Sequence, residues 1–585
     1  MLRFERALGY FRRLRRASPL WALLPVLACC GAGAVGPPAS IGSRASPVPP
    51  EFPAMIDRLR ADWSIPGVAV AVVEGDATPF IGTYGVRERG GTAPVTENTL
   101  FGIASITKVL VTGGLAVLVD AGKLDWDDRI VEHLPEFRLA DPYVTANVTV
   151  RDLLVHRSGM ASYGDWLEEI PGLSERTALE RMAYLDQSMP FRYATEYSSY
   201  SFIVLAEVIR RVSGKPWGEF LDQAVWSPLG MQHTYAHADE FIAAANVLPT
   251  GDGWSETIRM GQAAVPAGLD VASPHVKWEA FIDPELVFEQ RELEFDVSHF
   301  HRTAIDPGQG AFTSITDLAR WARVLLNDGS SGGVTLLAPE TVREMRRLQG
   351  AAGNGAWPLD GRSACGSTDS DLREVGVALG LFVFDYCGHV LYGHSGGELG
   401  YDSLMVIDPR EDFAVIAFVN NTRSWGAVHA IVQTVLDWRY GYPDRSWPAQ
   451  YREQAIADAQ EAFARMTREA KARPAVELDE GEANQYTGSY RNPFAGALEV
   501  RRRDASLVAT TGESYVLELT PLGDDSFRAI PAGPIRYWLS IEFARDGAGA
   551  VSGLSVFHPW FHQPLRFSRA PAAAGGGHRE SRPSG

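Results

Sequence analysis

Two serines in this sequence have neighbours suited to nucleophilic attack on a carbonyl. In "FGIASITKVL" (101–110) Ser105 is followed three residues later by Lys108. On a helix that spacing puts both side chains on one face, one turn apart, so the amine reaches the hydroxyl. Serine alone is a poor nucleophile, and an amine desolvated in a buried site can lose its proton and serve as base. In "YGHSGGELGY" (392–401) the run Gly393-His394-Ser395-Gly396-Gly397 fits G-x-S-x-G, the pattern of a serine on a sharp strand-to-helix turn. That turn needs a helix directly after the serine, whereas "GGELGYDSLMVIDP" gives two glycines and then a strand-like run. G-x-S-x-G is also a loose pattern in a chain with 57 glycines, and only Lys108 among the lysines has a serine three positions before it. Ser105 is therefore the expected nucleophile.

A third element lies between the two, "EYSSYSF", which supplies Tyr197 and Ser199. Ser-x-x-Lys in "ASITK", Tyr-x-(polar) in "EYSSYSF" and the glycine-bearing "GHSGG" occur in that order. The phrases "LLVHRSGM", "FIVLAEVIRRVSGKPWGEFL", "SPLGMQHT" and "TSITDLARWARVLLNDG" accompany them. Together they resemble the serine β-lactamase and penicillin-binding protein superfamily, in its class C-like and esterase branch, over about residues 52–440.

The resemblance implies an α/β fold with an antiparallel sheet and a helical cluster. It also implies roles. Ser105 attacks and forms an acyl-enzyme, Lys108 helps remove its proton, and Tyr197 relays a proton to the leaving group. His394 stands where β-lactamases carry a lysine, and either holds a substrate carboxylate or polarises the Tyr197 hydroxyl. The backbone N–H groups of Ser105 and Gly397 would form the oxyanion hole, with Gly396 and Ser395 lining the same strand. The family's usual asparagine two residues after the tyrosine is replaced by Ser199, which is shorter. Together with His394 this departure argues against β-lactam hydrolysis. His156 in "LLVHRSGM" is given a structural role.

The elements that must position these groups are legible in outline. "FPAMIDRLRADW" reads as an amphipathic helix, and "PGVAVAVVEGDATPFIGTYGV" as a hairpin around "EGD". The run from "NTLFGIASITK" to "VDAGKL" reads as a buried helix closing at Gly122. Residues 236–305 are long and irregular, the pattern of a wall over a site. "SITDLARWARVLLNDG" is a helix, and "VALGLFVFDY", "HVLYGHSG", "DSLMVIDP" and "FAVIAFVNN" are strands. "WGAVHAIVQTVLDWRYG" closes the hydrolase domain, 51–440, and a helical spacer spans 441–475. Short β runs over 480–570 form a small C-terminal all-β domain that resembles a lipocalin-like module. Residues 571–585 read as a disordered tail.

A net charge of -18 argues against a nucleic-acid partner, because a polyphosphate needs a basic surface. The basic residues of 1–16, followed by "PLWALLPVLACC", have the order of a secretory signal peptide, assigned to 1–35, with a linker over 36–50. "VLAC" before Cys29 allows a lipid anchor there, and cleavage near "GAGA" is the alternative. The chain is thus expected to be exported: periplasmic, membrane-anchored or secreted. An oxidising compartment permits Cys365 and Cys387 to pair. His299 and His301 lack a third ligand with metal spacing, so neither metal nor organic cofactor is expected. "FHPWFH" (557–562) reads as core of the β domain.

The sequence points to a serine hydrolase acting on esters, or on amides or peptides, of small substrates. A β-lactamase or D-alanyl carboxypeptidase is the alternative within the class. A non-catalytic binding or sensor protein of the same fold is the alternative outside it, and the intact Ser105, Lys108 and Tyr197 argue against that.

Overall fold

The structure is a computed structural model. It describes residues 46–163, 173–238, 240–241, 270–277, 290–292, 304–350, 372–398, 400–422, 424–503, 506–511, 515–531, 538–558 and 563–571. The N-terminal 1–45, most of 236–305, Cys365, His299 and His301, residues 559–562 of the aromatic run and most of the tail lie outside the described residues.

The first helix, α1 (Phe52–Trp63), has a proline in its first turn and buries Phe52, Ile56, Leu59 and Trp63, a 3.6-residue stripe. It leads into the hairpin of β1 (Gly67–Glu74) and β2 (Ala77–Gly85). The near-continuous apolar run of β1 marks a strand covered on both faces. Val68 to Val73 are indeed all buried. After the two-residue strand β3 (Phe101–Gly102) comes α2 (Thr107–Asp120), with Thr107 to Ala116 wholly buried. The helix ends beside Gly122, whose φ of 64° requires a left-handed residue. Helix α3 (Tyr200–Ser213), the short strand β4 (Thr234–Tyr235), β5 (Phe312–Thr313) and α4 (Ile315–Leu326) follow.

The remaining strands are β6 (Leu372–Ala378), β7 (Leu381–Tyr386), β8 (His389–Glu398), β9 (Tyr401–Asp408) and β10 (Phe413–Val419). They join β1 and β2 in an antiparallel seven-stranded sheet, ordered β6-β7-β8-β9-β10-β1-β2. Helices α4 and α5 (Trp425–Tyr440) pack on this sheet, and α6 (Trp447–Ala472) packs along α5. The spacer helix thus begins at Trp447, whose indole N–H donates to Asp437 at 2.6 Å.

Two features of the topology matter for chemistry. First, β3, β5 and β4 form a separate small sheet in that order, tying the segment before Ser105 to Phe312 and Thr313. Second, β7 pairs with β8 only as far as Gly393, while β9 pairs with β8 through Glu398. Among the described residues, 394–398 therefore keep one strand edge open.

From Gly488 to Arg569 eight strands close into an up-and-down barrel, the last pairing with the first through Tyr490 and Arg569. The alternation expected of a half-buried strand is clear in Leu539–Arg545, where Leu539, Ile541 and Phe543 are buried between exposed Ser540 and Glu542. Tyr486, Tyr490, Phe527 and Phe543 form its aromatic cluster. The turn between its first two strands is built by Asn492, whose Oδ1 accepts the N–H groups of Phe494 and Ala495, each at 2.7 Å. Phe494 is buried against Tyr200 and Tyr163, with ring centroids 5.4 and 6.0 Å away. Tyr200 opens α3 directly after Ser199, so the barrel docks beside the second motif.

Among the described residues no helix is long and apolar enough to cross a membrane. Cys387 is disulfide-bonded and has a φ of 55°, at the turn between β7 and β8.

Candidate active site

Ser105 does not lie on the α-helix itself. It sits in a single 3-10 turn, Ala104–Ile106, which runs straight into α2. The two helical pieces are continuous, so the three-residue spacing still brings the Lys108 Nζ to 3.1 Å from Ser105 Oγ. At the start of a helix the backbone N–H groups have no intrahelical acceptor, so the Ser105 N–H is available to a developing oxyanion. Ala104 takes a φ of 45°, a left-handed conformation that costs a residue with a Cβ about 1 kcal/mol or more. Ser105 is half-buried, which leaves its Oγ within reach of a substrate.

Three elements converge on that oxygen. Tyr197 donates its O–H to Ser105 Oγ at 2.8 Å. Lys108, fully buried, donates to Ser105 Oγ, to Ser199 Oγ at 3.2 Å and to the carbonyl of Gly308 at 2.7 Å. Two donors aimed at one hydroxyl oxygen stabilise the negative charge that grows there as its proton leaves. Ser199 is buried with its hydroxyl turned to Lys108, on the amine's side of the site.

His156 holds Tyr197 in place. Its carbonyl accepts the Glu196 N–H at 2.8 Å, and its Nδ1 accepts the Ser198 N–H at 3.2 Å. Tyr197 lies between these two anchors, its ring 4.6 Å from the imidazole. Burial, reinforced by the nearby Lys108 and His394, pushes the His156 pKa well down, so the ring is neutral. A neutral ring is what an accepting Nδ1 requires.

His394 is buried on β8, its ring 5.0 Å from Phe382 and 6.1 Å from Tyr197. Burial, and secondarily the charge of Lys108, push its pKa down to about 3. The residue is therefore neutral at neutral pH. Its Nδ1 lies 2.6 Å from the Ser395 carbonyl, which only a protonated Nδ1 can approach as donor. That tautomer leaves Nε2 with a lone pair.

Farther along β8, a Cβ on Gly396 would lie 2.1 Å from the Ile103 carbonyl oxygen, so only glycine lets this strand meet the segment leading into Ser105. Gly397 is exposed, with only Asp402 Oδ1 near its missing side chain at 3.1 Å. A carbonyl can therefore approach the open edge of β8 closely. Ser395 lies on a strand that continues to Glu398, with no helix after it. Among the described residues no lysine, histidine or tyrosine side chain bonds to its Oγ.

Gly308 is a functional residue that motif reasoning passed over. It lies in the short helix Asp306–Gln309, and a Cβ on it would stand 3.1 Å from Ser199 Cβ and 3.3 Å from Lys108 Nζ. The segment is pinned at both ends: His237 Nδ1 pairs with Asp306 at 2.7 Å, and the Ala311 N–H donates to Thr107 Oγ1 at 3.1 Å. Its sole sequence signal was the pair of glycines in "DPGQG".

The arrangement suits nucleophilic acyl transfer. For attack the Lys108 amine must be neutral, with its lone pair turned to Ser105 Oγ; it then takes the hydroxyl proton as Ser105 attacks, and Tyr197 gives its own proton to the departing group and recovers one from Lys108. Among the described residues no group of histidine, cysteine, aspartate and glutamate is spaced to hold a metal ion.

The family model described as Beta-lactamase matches residues 52–436. The chain is similar to the unguisins hydrolase of Aspergillus campestris, 26% identical over 473 residues and covering 78% of each chain. It is also similar to penicillin-binding protein 4 of Amycolatopsis lactamdurans, 27% identical over 60% of this chain and 80% of that one. Among solved structures, the octameric penicillin-binding protein homologue from Pyrococcus abyssi superposes with a TM-score of 0.51 at 18% identity, covering 88% of this chain and 99% of that one. That last likeness speaks to the fold alone.

Proposed function

This chain belongs to the Beta-lactamase family of serine hydrolases, and from that premise we propose that it is an exported enzyme that hydrolyses small esters through an acyl-enzyme on Ser105. The observation that carries the proposal is the convergence of Lys108 Nζ and Tyr197 OH on a half-buried Ser105 Oγ, at 3.1 and 2.8 Å.

The preference for esters follows from what β8 offers. A β-lactam or a C-terminal peptide brings a carboxylate, which calls for a cation on this strand. His394 is neutral there and presents a lone pair. Ser199 is committed to Lys108 and lacks the amide that would meet an acylamino group. Esters need neither contact, and an alkoxide leaves more readily than an unprotonated amine.

The test has two parts. A fluorophosphonate probe should label wild type and Ser395→Ala but not Ser105→Ala; the reverse pattern would move the nucleophile to Ser395. The ratio of kcat/KM for p-nitrophenyl butyrate to that for a chromogenic cephalosporin should then favour the ester by orders of magnitude. Equal efficiency on the cephalosporin would make a β-lactamase, or a cell-wall carboxypeptidase, the better assignment.

A further inference from the structure

The buried carboxyl of Glu398 has no role in the chemistry described above. It is the last residue of β8, directly after Gly397. Its Oε1 is closed off from solvent and has no hydrogen-bond partner among the described residues, although the residue as a whole is only half-buried. An unpartnered buried polar group is costly and wants an explanation. Space for this carboxyl is provided by glycine: a Cβ on Gly102, three residues before the nucleophile, would lie 2.3 Å from Oε1. Burial and the neighbouring negative charge of Asp306 push its pKa up to about 8.

The direction of β8 says which part of a substrate would meet this group. His394 stands beside Tyr197, the proton donor to the leaving group. Glu398 is four residues farther on, about 13 Å at the usual strand rise, with Gly397 and its open edge between them. A substrate carbonyl at Gly397 with its leaving group toward Tyr197 therefore sends its acyl substituent toward Glu398. The negative charge of Asp306 acts on Glu398, so this end of the site favours positive charge. A bound cation would supply the missing partner of Oε1 and draw the carboxyl into its charged form.

We propose that Glu398 is a specificity residue that binds a protonated amine on the acyl group, so that the preferred substrates are aminoacyl compounds. The proposal rests on the acyl-enzyme reading above, and it assigns the acyl half of the substrate, which that reading left open.

The test compares p-nitrophenyl esters of glycine and of propionic acid, which differ by ammonium against methyl at nearly equal size. Glu398→Gln keeps the shape and Glu398→Met replaces the carboxyl with an apolar group. Fluorophosphonate labelling and thermal unfolding show that each variant is folded with a competent Ser105. The glycyl-to-propionyl ratio of kcat/KM, at pH 7, is divided by the same ratio for each variant, which cancels the intrinsic reactivity of the two esters. The expected result is a ratio at least tenfold higher in wild type than in either variant, with the loss mainly in KM for the glycyl ester. Propionyl turnover with no difference in ratio between wild type and variants overturns the Glu398 assignment and leaves the acyl-enzyme reading standing. Failure of wild type to turn over either ester overturns both.

Discussion

Gly308 holds the Lys108 amine by its backbone carbonyl, 2.7 Å from Nζ, and its lack of a side chain is what permits the approach. Lys108 therefore takes its position from a short helix 200 residues away in sequence as well as from its own helix. Gly308→Ala should lower kcat about tenfold and Gly308→Val about a hundredfold, the scale expected when a reacting group is displaced by up to 1 Å. The measurement is kcat together with the rate of fluorophosphonate labelling, on variants whose circular dichroism is unchanged. A valine variant labelled at the wild-type rate would remove Gly308 from the amine's surroundings.

His156 clamps the backbone on both sides of Tyr197, through the Glu196 and Ser198 N–H groups. Leucine at this position leaves the buried Ser198 N–H unpaired, a loss of about 1–3 kcal/mol, and frees Tyr197 to move. His156→Leu should reduce kcat by about tenfold or more with little change in KM. His156→Asn should recover part of that loss, because asparagine offers an acceptor and tolerates the φ of 53° found here. Equal activity of the two variants would show that His156 only fills space.

Phe494 joins the barrel to the hydrolase domain by packing on Tyr200, the residue after Ser199. Truncating a buried phenylalanine costs about 3–5 kcal/mol. Phe494→Ala should accordingly lower the unfolding midpoint and also reduce kcat, since Tyr200 opens the helix that carries the second motif. A variant with lowered stability but unchanged kcat, assayed well below its midpoint, would show that the barrel does not support the site.

His429 is buried in α5 between Trp425 and Tyr451, and neither ring nitrogen has a hydrogen-bond partner among the described residues. Burial pushes its pKa down to about 3. Because the unfolded chain binds a proton near pH 6.5 and the folded one does not, the stability present above that pH is lost as pH falls from about 6.5 toward 3. His394, lowered to about 3, and His275, lowered to about 4, act in the same direction. His429→Phe should raise stability by about 1 kcal/mol at pH 7 and by more at pH 5. Denaturant unfolding at both pH values decides this, and an equal gain at the two would mean that His429 takes up its proton as readily in the folded protein as in the unfolded chain.

The sequence by itself settled the parts that depend on local spacing. Ser105 and Lys108 are three residues apart on continuous helical backbone, so their contact needs little beyond the helix. The glycines and strand-like run after Ser395 excluded a nucleophile elbow, and β8 does continue as a strand to Glu398. Alternation and continuous apolar runs marked the strands of the sheet and the barrel, because burial on one or two faces writes itself into residue type. Tertiary structure decided everything that joins distant segments. Gly308 reaches Lys108, and His156 brackets Tyr197, through backbone groups that every residue has, so residue identity carries almost no trace of them. The neutrality of His394 is likewise a property of its burial and of Lys108 nearby, neither of which is written in "GHSGG". Nothing in the sequence singles out Glu398; only its surroundings, Gly102 beside it and no partner for Oε1 among the described residues, distinguish it from a solvated residue.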